Sequence, residues 1–171
     1  SLHFQTITAG SSADALVLAG GRISSSAYSP AGSIVQVVTS SVFGAGTNST
    51  SFADITNASV AITPASSSNK ILVIANVDSF QGAVTSVNQI YTQNLYKTQG
   101  GSDTSLNVRY LSSQSTGGGL QLYASTAHAV LDAPSTTSEI TYKIQHKVSN
   151  TGSYGYANNS GNYLIAMEVQ V

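Results

Sequence analysis

The chain has no cysteine, no tryptophan, one methionine, three prolines and only 8% charged residues in a length of 171. The absence of cysteine excludes disulfide stapling and fits a stable assembly that owes nothing to redox conditions. Soluble domains carry about 25% Asp, Glu, Lys and Arg, so this chain has too few charges for the solvated surface of an ordinary monomer. Six Lys and Arg are scattered along it and the net charge is -1. No basic stripe is available to neutralise phosphates, which excludes a nucleic-acid partner. No apolar run approaches the roughly 18 residues a membrane span needs, and no charged n-region with an apolar h-region opens the sequence.

Apolar material is plentiful: 41% of the residues are hydrophobic, enough for one full core. The stretch PASSSNKILVIANV, 64–77, organises the rest. Pro64 cannot donate to a ladder and residues 65–69 form a small polar turn, so a strand begins at Lys70. Ile71, Val73, Ala75 and Val77 fall on one face of that strand, Leu72 and Ile74 on the other. An antiparallel sandwich covers only the inner face of each sheet, so the second face predicts cover from another copy of the chain.

Residues 1–32 read as a stem. Two short apolar clusters, Leu2/Phe4/Ile7 and Leu16/Val17/Leu18, are set among Gly, Ala and Ser and cannot build a core alone, which predicts packing against symmetry mates. The turn at 28–32 delivers the chain into a second region, 33–171. There, strands alternate with turn signals at the spacing of an all-β sandwich or barrel. Eight main strands are predicted, at 33–42, within 52–63, and at 70–80, 89–97, 106–111, 127–132, 139–148 and 163–171. A short excursion is placed at 120–125. Eight antiparallel strands suit a jelly roll, in which the long connections 43–51, 81–88, 112–126 and 149–162 gather at the end away from the stem. A full extra strand at 120–125 would invert that parity.

No motif for chemistry stands out. There is no G-x-S-x-G, no H-E-x-x-H, and no Gly-rich loop followed by Lys-Ser or Lys-Thr. A glycan-cleaving enzyme needs two carboxylates at a fixed separation, and no two of the seven acids form such a motif. Asp132 sits before a turn, where it is expected to accept backbone N–H bonds. His128 and Asp132 share a strand face, but two ligands do not make a metal site. His146 falls on a core face and reads as a structural imidazole. His3 in the stem could form a ring of three about a threefold axis. The predicted complement is therefore no catalytic residue, no metal and no cofactor.

The aromatic loop residues carry the functional expectation. Tyr154 and Tyr156, beside Asn158 and Asn159, place flat apolar rings with hydroxyls next to amides that both donate and accept, the chemistry for gripping a sugar or a polar protein loop. The alternative is that the rings plug the end of the sandwich or pack on a neighbouring subunit. N-x-Ser/Thr triplets at Asn48, Asn57 and Asn158 are what a Ser- and Asn-rich chain produces by chance.

Four separated motifs, AGSIVQVV (31–38), SVAITPASSSNKILV (59–73), VLDAPSTTSEITYKIQ (130–145) and IAMEV (165–169), occur in an order that resembles the C-terminal domain of tail-fibre and appendage proteins of tailed bacteriophages of aquatic bacteria. The resemblance covers 31–171. It implies a homotrimeric β-sandwich knob at the tip of a fibre shaft in the virion, which adheres to a glycan or outer-membrane protein of the host surface. Its shared motifs are strand and turn residues, so it transfers no binding residue, and its departures, TGGGLQLY (116–123) and NTGSYGYANNSGN (150–162), lie in the loops that would choose a receptor. A purely structural virion knob is the alternative, and a polysaccharide-degrading tailspike comes third.

Overall fold

The computed structural model describes residues 30–41, 43–83, 88–114, 121–157 and 161–171. Residues 1–29 of the predicted stem (1–32), with His3, therefore lie outside the described residues. The chain enters through a turn in which Ser33 N donates to Pro30 O (3.0 Å), and Gly32 N donates to Gln170 O (2.7 Å) beside the last strand.

Ten strands follow: β1 (Ile34–Ser41), β2 (Ala45–Thr47), β3 (Ala53–Ile62), β4 (Lys70–Ala83), β5 (Asn88–Gln99), β6 (Ser102–Gln114), β7 (Gln121–Asp132), β8 (Ile140–Val148), β9 (Ser153–Ala157) and β10 (Tyr163–Val169). All pair antiparallel in two sheets. Sheet A runs β1-β10-β4-β7, with β9 and β2 continuing the β10 and β1 side at the far end of β4; sheet B runs β3-β8-β5-β6. Strands that follow one another mostly change sheets, and β4 lies between β10 and β7, so the fold is the predicted jelly-roll sandwich.

Alternation decides which residues meet between the sheets. Ile71, Val73, Ala75 and Val77 of β4, with Leu164 and Ala166 of β10, face Ile55, Val60 and Ile62 of β3, Leu95 of β5 and Ile140, Tyr142 and Ile144 of β8. All are essentially fully buried. Burying an aliphatic side chain of this size contributes about 1.5–3 kcal/mol, so this inner layer is the main source of cohesion. The short connections behave as their residues dictate. Gly100 and Gly101, at φ 58° and 80°, make the two-residue hairpin between Gln99 and Ser102, a turn that needs positive φ at both central positions.

Several boundaries differ from the sequence expectation, and the largest differences arise where a strand runs further than its apolar residues. The predicted excursion at 120–125 is the first half of β7, continuous with 127–132 and paired residue for residue with β4 from Gly82↔Gln121 to Ile71↔Asp132. No extra strand arises at this point, but the total is ten instead of the predicted eight, because β2 and β9 form within segments expected to be connections. The connections expected at 43–51, 81–88, 112–126 and 149–162 are not loops throughout: β2 and β9 lie within two of them, and β4, β6 and β7 extend into the others. Polar and small residues build these extensions because partner strands satisfy their backbone groups. The described strand ends that precede these connections, Ser41, Ala83, Gln114 and Val148, all lie on the side away from the chain entry at Ile34.

Asp132 departs from its expected role. It accepts the Tyr142 hydroxyl (2.8 Å) and the Lys97 ammonium (3.0 Å) instead of backbone N–H groups. Its strand continues through it with the side chain turned inward, so it closes the entry end of the core. Burial and this acceptor together push the Tyr142 phenol pKa up and hold it protonated.

Candidate functional site

Beyond Val77 the outer face of sheet A changes character. Register places Phe80 of β4 between Tyr123 of β7 and Tyr156 of β9, with Gly82 opposite Tyr154 and Gly46 of β2 opposite Tyr156. The ring centroids lie 4.9 Å apart for Phe80 and Tyr123, 6.4 Å for Phe80 and Tyr154, and 6.4 Å for the stacked pair Tyr154 and Tyr156. Two glycines shape this surface. A Cβ at Gly46 would overlap the Tyr154 hydroxyl and stand 3.1 Å from Tyr156 Cδ2, and one at Gly82 would stand 3.1 Å from Phe80 Cζ. The rings therefore lean over bare backbone. Tyr123 is 71% exposed and Tyr154 44%.

Beside the rings lies an open depression of about 450 Å³ bordered by Asp78, Phe80, Tyr123, Ser125 and Tyr156. Asp78 Oδ1 accepts from the Ser125 hydroxyl and from Asn76 Nδ2 (3.2 Å). The Asp78 backbone N–H donates to Asn162 Oδ1 (2.7 Å), and Asn162 Nδ2 donates to Phe43 O (2.7 Å), which ties the approach to β10 and the end of β1 to the rim.

Tyr154 and Tyr156 thus stand on a strand, a correction to the turn-rich loop expected for them. The local sequence Ser-Tyr-Gly-Tyr-Ala explains it: Ser153, Gly155 and Ala157 are buried while the tyrosines face outward. Tyr91 of the opposite sheet occupies the room that a side chain at Gly155 would need. Asn158 and Asn159 lie outside the described residues. Phe80 and Tyr123 were not anticipated. Phe80 shares its face with Leu72 and Ile74, a parity visible in the sequence, but its neighbour Tyr123 is fixed only by strand register.

Further along the same outer face, between Asp78 and Lys70, the side chains Leu72, Ile74, Ala127, Ala129, Leu131, Ile165 and Met167 carry no charge. Leu131 is 56% exposed, and Val37 beside Met167 is 51% exposed. The outer face of sheet B is different. Lys143 pairs with Asp103 (3.0 Å) and Asp54 (3.8 Å), and Lys147 stands 4.6 Å over the Phe52 ring.

The interior holds polar groups of its own. His146 is buried with Nδ1 2.8 Å from the Tyr91 hydroxyl, and His128 is buried with Nδ1 3.0 Å from Asn107 Oδ1. Burial lowers both imidazoles from 6.5 to about 4, and the nearby Arg109 charge adds to the effect at His128. Glu168 is fully buried on the core face of β10. Its carboxylate accepts from Asn69 Nδ2 (2.6 Å), Gln36 Nε2 (2.6 Å) and Ala65 N (2.7 Å). Burial alone would raise its pKa, but these donors outweigh it and the pKa is lowered. No group of three or more His, Cys, Asp or Glu placed to hold a metal ion occurs among the described residues.

No protein-family model matches this chain, and no curated protein does. Among solved structures it is similar to a chain in the structure of infectious bursal disease virus Gx strain, at 16% identity and a TM-score of 0.40. The match covers 80% of this chain and 38% of that one, so this chain spans well under half of that neighbour's length.

Proposed function

We propose that this chain is the tip domain of a virion fibre or appendage, a homotrimer that adheres to a bacterial surface glycan or outer-membrane protein. The observation that carries this reading is the ring-bearing surface of Phe80, Tyr123, Tyr154 and Tyr156 at the end of the sandwich opposite the chain entry. A domain carried on a shaft meets its target with that end. The resemblance of 31–171 to tail-fibre knobs supports the virion setting, and the uncharged outer face of sheet A supports self-association. Three copies about one axis would present three weak sites together and gain by avidity.

The same uncharged face also favours a second reading, a structural knob whose role is to trimerise and stabilise a shaft. A polysaccharide-degrading spike has less support: Asp78 is the single carboxylate among the described residues bordering the depression, whereas glycoside hydrolysis uses a pair. Fluorescently labelled whole chain, incubated with a panel of aquatic bacterial isolates, separates the first two. The adhesive reading expects retention on some strains, reduced about tenfold or more in the Tyr123→Ala/Tyr154→Ala double variant. Retention on no strain would favour the structural knob.

A further inference from the structure

The geometry points to a binding site for a neutral or N-acetylated hexopyranose on the outer face of sheet A, with the rings of Phe80, Tyr123 and Tyr156 as its floor and Asp78 and Ser125 as its polar rim. The adhesive reading supplies its biological setting, but the site stands on its own chemistry. A pyranose has one face of C–H groups and a periphery of hydroxyls, so it asks for exposed aromatic faces bordered by hydrogen-bonding groups. The outer face of sheet A offers that combination. Phe80 and Tyr154 lean over Gly82 and Gly46, with the ring of Tyr123 4.9 Å from that of Phe80 and 71% exposed.

The polar rim is adjacent and only partly used. Asp78 Oδ1 is engaged by Ser125 and Asn76, while Oδ2 accepts no hydrogen bond among the described residues. A carboxylate oxygen held in this way takes a sugar hydroxyl as donor, and the hydroxyls of Tyr123 and Ser125 supply further partners. The depression, at about 450 Å³, suits one or two sugar rings. A folded protein partner would need a contact of about 800 Å² on each side, far beyond this rim.

Charge narrows the ligand class. Among the described residues, Lys70 lies at the opposite end of β4, Lys97 is engaged by Asp132 in the core, Lys143 and Lys147 stand on sheet B, and Arg109 donates to Ala127 O on the neighbouring strand. Among the described residues no cation faces the depression, and Asp78 does. Uronic and sialic acids would meet a like charge without a counterion, so the site selects uncharged rings.

Saturation-transfer NMR on the whole chain tests this with methyl glycosides of glucose, galactose, mannose and N-acetylglucosamine, and with methyl glucuronide as the charged comparison. At least one neutral glycoside is expected to bind, with a dissociation constant on the order of millimolar, and methyl glucuronide at least about tenfold more weakly. Tyr123→Ala should weaken binding about tenfold. Gly46→Ala, which displaces Tyr154 without removing a ring, should weaken it less. Tyr110→Ala, at an exposed ring on sheet B, should leave it unchanged and shows that a lost surface tyrosine does not itself disturb the fold. The proposal is overturned if no neutral glycoside binds, if Tyr123→Ala binds as tightly as the parent, or if the glucuronide binds as well as the neutral rings. Cells distinguish this failure from failure of the adhesive reading. Adsorption without sugar binding would refute the sugar site alone, and sugar binding without adsorption would refute the adhesive reading alone.

Discussion

Acidification from pH 7 to pH 4 is expected to remove about 3 kcal/mol of folding stability for each of two buried histidines, His128 and His146. Both imidazoles sit between the sheets, where burial lowers their pKa from 6.5 to about 4. In the unfolded chain they bind protons below 6.5; in the folded chain they do not until about 4. The unfolded state therefore holds more protons throughout that window, and stability falls as pH falls through it. Above 6.5 the contribution is complete, and below about 4 the loss levels off. His128 is the harsher case, because Nε2 is buried without a hydrogen-bond partner among the described residues. Net stabilities of single domains are about 5–15 kcal/mol, so a combined loss of about 6 brings the fold close to unfolding. Urea midpoints at fixed protein concentration, taken between pH 7.5 and 4, should decline steeply below 6.5. The His146→Gln variant should lose about half of that slope. A flat profile over the same range would mean that the imidazoles charge without cost, contrary to their burial.

The second large effect belongs to Glu168. Its carboxylate joins three parts of the chain that are remote in sequence: Gln36 on β1, the 64–69 turn through Ala65 and Asn69, and its own strand β10. Glu168→Gln preserves shape but replaces one acceptor oxygen with a donor that faces other donors. Leaving buried donors unsatisfied costs about 1–3 kcal/mol each, so the variant is expected to lose about 3 kcal/mol, with amide exchange accelerated first in the 64–69 turn. A loss below about 0.5 kcal/mol would show that the turn is held by its own hydrogen bonds. The charge adds a separate acid dependence. With the folded pKa lowered from 4.5, this stabilisation is present above that value and is lost as pH falls through the folded pKa, below the main histidine window.

Much of the architecture was legible because the inner layer obeys a period of two. Ile71, Val73, Ala75 and Val77, and again Ile140, Tyr142, Ile144, His146 and Val148, are buried in the alternation that their spacing announces. The ends of the strands were less legible. Ser102–Gln114 and Gln121–Asp132 owe their length to partner strands, not to apolar residues, and no local signal marks that. The aromatic surface was half visible. Tyr154 and Tyr156 stood out by their spacing, whereas Phe80 and Tyr123 become neighbours only through the β4–β7 register. Glu168 carried a signal that could have been read: it shares parity with Leu164 and Ala166, and an acid on a core face needs donors brought from elsewhere.

Self-association rests on the outer face of sheet A, where Val37, Leu72, Ile74, Leu131, Ile165 and Met167 form an uncharged surface that one copy of the chain leaves partly exposed. Sedimentation equilibrium of the whole chain at low micromolar concentration tests it most directly. The expected result is a single species of three times the 17.5 kDa of one chain, reduced to that of one chain by Leu131→Asp. A well-behaved monomer at 17.5 kDa, with the parent and Leu131→Asp alike, would contradict it.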